Sequence, residues 1–179
     1  MFDKQYRFKG RHALRVLQLT NAFDKISKAQ LFARNIDIYT NAPLVGFLYG
    51  RLAEKDFTKN PETNEAYDQN VMGDRVMRSS DELQFNFWLI MLLDEDYEPD
   101  EKKRIEKAFR NYGNDSNDEE RFDSYVRGGI DVLYEKLIGE GSLEPDDITY
   151  RLYEFLSDFN NKFNKEINRK EIFSLCLKG

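Results

Sequence analysis

The spacing of apolar positions predicts a chain built almost entirely from helices. Gln5-Tyr6-Arg7-Phe8-Lys9 alternates apolar and polar residues, the period of a short strand or an extended lead-in, and Gly10 follows as a turn. From Arg11 to Leu19 the pattern becomes helical, with Ala13, Val16 and Leu17 on one side. Asn21 suits the cap of a second helix, Ala22 to about Tyr39, in which Phe23, Ile26, Ala29 and Ala33 recur at helical steps. Pro43 has no backbone N–H and clashes one turn back. The spacing therefore predicts either a helix kinked across it or a new helix starting there. The new helix is the better fit, with Thr40 or Asn41 as cap, Pro43 in the first turn and an end near Lys55.

Asp56 to Ser79 is polar, punctuated by Pro61, Asn64, Asn70 and Gly73, and reads as a long loop with at most one helical turn around Ala66-Tyr67. Ser80-Asp81-Glu82 opens a helix with acids where its dipole favours them. Leu83, Phe87, Trp88, Ile90, Met91 and Leu92 make that helix apolar on most faces, as befits the middle of a core. An acidic connector, Asp94 to Asp100, leads to a helix with Pro99 in its first turn and Ile105, Ala108, Phe109 and Tyr112 at three- and four-residue steps. Gly113 to Asn117 ends it. Phe122, Tyr125, Val126, Gly129, Ile130, Leu133 and Leu137 trace a long amphipathic helix closed by Gly139 or Gly141, and Pro145 opens a last one through Ile148, Leu152, Phe155, Leu156 and Phe159. The tail Ile172 to Leu177 reads as a short strand or docked turn. With no repeat and no low-complexity linker, the expectation is an all-α fold. It is a single compact multi-helix domain over residues 1–179, with about six to seven helices and a short extended segment at one terminus as the only departure.

Composition supports a packed domain. The chain has 14 Phe and 10 Tyr against 10 Gly and 4 Pro, which argues against disorder and against a turn-rich β-sandwich. The first residues are charged and lack a signal-peptide core. The longest apolar run, Ala42 to Tyr49, is under half the roughly 20 residues a membrane helix needs. No membrane contact and a cytoplasmic location are the expectations. Cys176 is the only cysteine, so an internal disulfide and a cysteine-based zinc site are excluded. Net charge is −6, but residues 1–35 carry eight bases against Asp3 and Asp24, so the remainder of the chain is strongly acidic. Such a basic end can meet nucleic acid, an acidic partner or the chain's own acidic surface.

Candidate chemistry is sparse. Gly46 and Gly50 in Ala42-Pro43-Leu44-Val45-Gly46-Phe47-Leu48-Tyr49-Gly50-Arg51, and Gly128 with Gly129 in Arg127-Gly128-Gly129, cost helix stability and so point to close approach of another backbone or ring. His12 is the only histidine, and no Gly-x-Ser-x-Gly elbow accompanies it. Asp94-Glu95-Asp96 and Asp115 to Glu120 are acidic runs, but the EF-hand glycine position is Glu120 in the second. There is no Walker loop and no dinucleotide fingerprint. No catalytic residue, metal ligand or cofactor is expected.

The order of motifs resembles a known group. Leu31-Phe32, Asp37-Ile38-Tyr39, Ala42 and Gly46-Phe47-Leu48-Tyr49-Gly50-Arg51, followed by Phe122-x-x-Tyr125-x-x-Gly128-Gly129-x-x-x-Leu133, are similar to small bacterial proteins encoded beside DNA phosphorothioation (dnd) genes and to other small defence-island proteins. The resemblance implies an accessory role in a bacterial DNA-modification or anti-phage system and carries no catalytic signature. The functional expectation is a non-enzymatic accessory or adaptor protein. It would dock protein partners through exposed aromatic and arginine side chains: Tyr39, Phe47, Tyr49, Arg51, Tyr125 and Arg127. The alternative is a DNA-binding regulator using Lys9, Arg11, Arg15, Lys25, Lys28 and Arg34 on a basic N-terminal face.

Overall fold

The structure is a computed structural model that describes residues 1–164. A short strand β1 (Tyr6–Lys9) leads into α1 (Gly10–Thr20), and α2 (Asn35–Leu48) follows a loop. Next come β2 (Asp68–Val71), α3 (Gly73–Arg78), α4 (Ser80–Leu93) and α5 (Glu101–Ile105), which runs on into a π-helical turn over Glu106–Arg110. The long α6 (Ser116–Leu137) and α7 (Pro145–Phe163) complete the described chain. The fold is mostly helical but not all-α. β1 and β2 form an antiparallel pair with Tyr6 opposite Val71 and Phe8 opposite Gln69. The alternation in Gln5–Lys9 thus marks a true strand. Its partner was missed because Asp68-Gln69-Asn70-Val71 is polar, with Val71 its only buried side chain. Residues 56–79 accordingly hold a strand and a helix as well as loop. The Ile172–Leu177 tail and Cys176 lie outside the described residues.

Two further boundaries differ from the expectation. Residues 22–34 form a loop, because Asp24 turns the chain locally. Its carboxylate accepts from the backbone N–H of Ile26 (2.8 Å) and Ser27 (3.2 Å), and Lys28 takes a left-handed conformation. Such short-range bonds compete with a helix. Conversely, one helix runs straight through Pro43. α2 lies between α4 and α6, and Asn86 of α4 donates to the Thr40 carbonyl (2.8 Å) one turn before the proline. Packing on both sides thus outweighs the lost ladder bond. The helix stops at Leu48 because Gly50, at φ +61°, closes a Schellman turn. Its N–H reaches the Phe47 carbonyl (3.0 Å), and the Arg51 N–H reaches that of Gly46 (2.8 Å).

The core sits where α2 and α6 cross. Ile38, Ala42 and Val45 of α2 pack with Phe122, Val126, Ile130 and Leu133 of α6. Leu83, Phe87, Ile90 and Met91 of α4 close one side, and Val16 and Leu19 of α1 the other. The glycines set the crossing distance. A Cβ on Gly129 would overlap the Ala42 carbonyl, one on Gly46 the Tyr125 carbonyl, and one on Gly128 the Arg51 carbonyl. Gly50 is different: a Cβ there would meet nothing, and its use is the positive φ.

Candidate functional site

The outward side of α4 is the first feature that burial leaves unexplained. Nearly every position from Leu83 to Leu93 is apolar, yet only one side faces the core. Phe85 and Leu93 remain 58% and 55% exposed, and Trp88, Leu89 and Leu92 between them are half-buried. α5 folds back alongside. Asp100 caps it by accepting from the N–H groups of Lys102 (2.9 Å) and Lys103 (3.2 Å). The Arg104 guanidinium tucks beneath the hairpin, donating to the carbonyls of Leu92 (2.9 Å), Glu98 and Pro99 (3.0 Å each). With Arg104 and Ala108 turned inward, Ile105 (41% exposed) and Phe109 (53% exposed) face out, and the Phe109 ring lies 5.4 Å from Trp88. The result is an apolar strip across two helices, flanked by exposed Asp81, Glu82, Glu95 and Asp96 on one side and exposed Lys102, Lys103 and Arg110 on the other.

The second feature is the polar content of α6. Carboxylates anchor it to neighbouring elements, and Asp118 is one, accepting from Lys107 and the Tyr97 hydroxyl at 2.7 Å each. Buried Asp94 accepts from Arg121 Nε (2.7 Å), its second nitrogen (3.0 Å) and the Tyr125 hydroxyl (2.9 Å). Burial and then this carboxylate push the Tyr125 phenol up to about 12. Glu120 takes Lys55 (2.6 Å) and Arg127 (2.5 Å), while Arg127 Nε donates to the Ala53 carbonyl (2.8 Å). Asp131 faces His12 Nε2 (3.2 Å), Arg11 (3.5 Å) and Arg15. Burial alone would raise its carboxyl, but His12 and Arg15 outweigh that and hold it below the usual range.

Between β1, α1, α6 and the segment after α2 lies a cleft of about 290 Å³. Tyr6, Lys9, His12, Lys55, Phe57, Asp123 and Arg127 are among its lining residues. Asp123 has no cation within salt-bridge reach among the described residues. Burial pushes its carboxyl up to about 7, although Arg127 and Lys55 pull the other way and Glu120 and Glu119 add to the rise. Asp56 holds the wall: it accepts from the Arg11 N–H (2.7 Å) and the Thr58 N–H (3.0 Å), and so caps α1 from 45 residues away. Gly10, at φ +56°, lets it in, since a Cβ there would collide with Asp56.

The residues singled out from the sequence disperse. Tyr39, Tyr125 and Arg127 are buried and therefore not exposed anchors: Tyr39 stacks on Tyr6 at 4.0 Å, and Tyr125 and Arg127 serve the networks above. Phe47 is half-buried edge-on to Tyr125 (5.4 Å), and Tyr49 lies beside Phe155 (6.4 Å) and Phe163 (5.5 Å) of α7. Arg51 is exposed and pairs with Glu135 (3.2 Å). The basic residues share no single face. Arg11 and Arg15 converge on Asp131, Arg34 pairs with Asp37 (2.6 Å), and Lys25 and Lys28 sit in the 21–34 loop. Lys9 lies at the cleft over Phe57 (6.0 Å). Sequence reasoning missed Phe85, Phe109 and Asp123. The excess of apolar residues on α4 was the available signal for the first. No group of three or more His, Cys, Asp or Glu side chains among the described residues is gathered as a metal site requires, and no helix among them is long and apolar enough to cross a membrane. In comparison with known proteins, the chain matches no family model, no curated protein and no solved structure.

Proposed function

We propose that this protein is a non-enzymatic accessory or adaptor subunit that captures a partner helix on the outward face of α4 and α5. One observation carries the reading: α4 is apolar all round, yet Phe85 and Leu93, with Ile105 and Phe109 beside them, stay in water. A helix of that composition is normally enclosed, and a contiguous apolar strip with a polar rim is the usual form of an interface. An apolar strip across two adjoining helices suits the apolar face of an amphipathic helix. The rim carries both signs of charge, Asp81, Glu82, Glu95 and Asp96 by α4 and Lys102, Lys103 and Arg110 by α5, which favours a partner helix with charges of both signs beside its apolar stripe. The resemblance to proteins encoded beside DNA phosphorothioation genes supports a place in a bacterial DNA-modification or anti-phage system.

The test is co-purification with the products of neighbouring genes, combined with the double variant Phe85→Glu/Phe109→Glu. Both side chains are more than half exposed, so the variant keeps its fold by circular dichroism and loses the partner. Hydrogen exchange of the complex shows protection over residues 80–93 and 101–110. Retained capture by the variant sinks the reading. So does a homodimer in light scattering that the same variant splits, because the face is then taken by a second copy.

A further inference from the structure

The cleft at β1 and α6 holds two charged groups that find no opposite charge in salt-bridge reach among the described residues. Around it, Arg7 pairs with Asp68 (2.9 Å), Lys55 and Arg127 share Glu120, and His12 faces Asp131. Asp56 is taken by two backbone N–H groups. What is left among the described residues is the Lys9 ammonium at the rim and the Asp123 carboxyl, beside the Tyr6 hydroxyl. Asp123 lies part-buried in the wall with the Tyr6 hydroxyl bonded to it and no cation in salt-bridge reach among the described residues, and this loss of water raises its carboxyl. Phe57 stands exposed at the mouth with Lys9 over its ring, so one aromatic face is open to stacking. Tyr6 adds a second ring, half-buried and backed by Tyr39.

Each of these features restricts the ligand. A volume of about 290 Å³ lies at the small end of ligand pockets, which run roughly 300–1,000 Å³, and so admits something no larger than a mononucleotide. The exposed ring asks for a planar group. Asp123 asks for N–H donors, while Lys9, which no carboxylate among the described residues takes, attracts an anion, and Arg127 and Lys55 near Asp123 disfavour a further cation there. Of the nucleobases, guanine alone offers two adjacent N–H donors on its Watson–Crick edge. Adenine, cytosine and uracil each turn an acceptor toward a carboxylate.

We propose that this cleft binds a guanosine 5′-phosphate unit, with the base against Phe57, its N1–H and N2–H on Asp123, and the phosphate at Lys9. The unit can be a free nucleotide or the 5′ end of a strand, since the chemistry at the cleft is the same. This site is separate from the α4–α5 face, and its failure leaves the docking reading untouched.

The experiment is an NMR titration of the full chain with 5′-GMP, 5′-AMP, guanosine and a short single strand bearing a 5′-phosphoguanosine. GMP gives saturable shifts at Tyr6, Phe57 and Asp123, and AMP binds roughly 5- to 150-fold more weakly, the range for a lost bidentate base contact. Asp123→Asn weakens GMP about tenfold or more, by the same contact. Lys9→Ala weakens GMP and leaves guanosine unchanged. Tighter binding of the strand than of GMP assigns the site to strand ends, and the reverse assigns it to free nucleotide. No saturable shift at millimolar GMP, equal affinity for AMP, or unchanged GMP affinity in Asp123→Asn overturns the proposal.

Discussion

Replacing Gly129 by alanine tests how the two central helices meet. A Cβ at this position falls on the Ala42 carbonyl, 2.6 Å from its carbon and 3.0 Å from the Ala42 Cα. Carbon atoms in contact normally stand about 3.5–4.0 Å apart, so α2 and α6 must separate by roughly 1 Å at their crossing. Nothing there can rotate aside, because the obstacle is backbone. The same separation loosens the Gly46 contact, where an added Cβ would lie 2.9 Å from the Gly129 nitrogen, and the Phe47–Tyr125 edge contact. Alanine returns about 1 kcal/mol of helix propensity relative to glycine. Overpacking costs about 1–3 kcal/mol in ordinary cores, and a rigid backbone wall places this site at the upper end. The expected net loss is about 2 kcal/mol, which for a domain of this size lowers Tm by about 4–8 °C. Thermal and urea denaturation followed by circular dichroism measure it. Gly50→Ala is the contrast: the space is open and only the positive φ resists, so the loss is about 1 kcal/mol, and asparagine restores most of it. A Gly129→Ala variant melting at or above the wild type would refute the close crossing.

Three other outcomes are expected. Asp94→Asn leaves the Arg121 guanidinium part-buried without its carboxylate, and a urea titration should show a loss of about 3 kcal/mol, at the lower end for a broken buried pair. Asp123 has its carboxyl raised to about 7, so the folded state is penalised as the group ionises. The penalty is absent below about pH 4, grows between there and pH 7 and is constant above. Asp123→Asn should therefore raise Tm clearly at pH 8 and little at pH 4, and a smaller gain at pH 8 counts against the burial. Asp56 has the opposite sign. Burial raises it, but the N–H groups of Arg11 and Thr58 win and hold it at about 2, so its stabilisation is present above about pH 4 and fades as pH falls toward 2. Asp56→Ala should cost about 1 kcal/mol at pH 7, as for other helix caps, and nothing measurable at pH 2.

What the sequence made legible follows from how local each cause is. α1, α4, α6 and α7 declare themselves through a helical period over many residues, and the Tyr6–Lys9 alternation marks β1 for the same reason. The close approach at Gly46 and Gly129 was readable because helix interiors exclude glycine without cause, whereas Gly50 carried the same signal for a different reason, the left-handed cap of α2. The loop at 22–34 was hidden because Phe23, Ile26, Ala29 and Ala33 imitate a helix, while one aspartate sets the turn. Pro43 misled in the other direction, since only the burial of α2 between α4 and α6 tells that the helix survives it. The cleft was invisible for a longer-range reason. Tyr6, Lys55 and Asp123 come from three separate elements, and nothing near Asp123 in sequence reveals that β1 covers it.

The α4 strip lies between these cases. Its apolar residues were plain in the sequence, but a continuous run reads as burial on every side, and the described residues supply elements for one side only. Leaving Phe85, Leu93 and Phe109 in water exposes apolar surface that transfer energies value at about 25 cal/mol per Å². Sequence that merely needed to fold would gain solubility by placing charge there, as it does at Asp81, Glu82, Glu95 and Asp96 on the rim. Apolar positions kept in water along α4, with charge gathered at its two ends, fit the partner-docking role proposed above better than they fit a core.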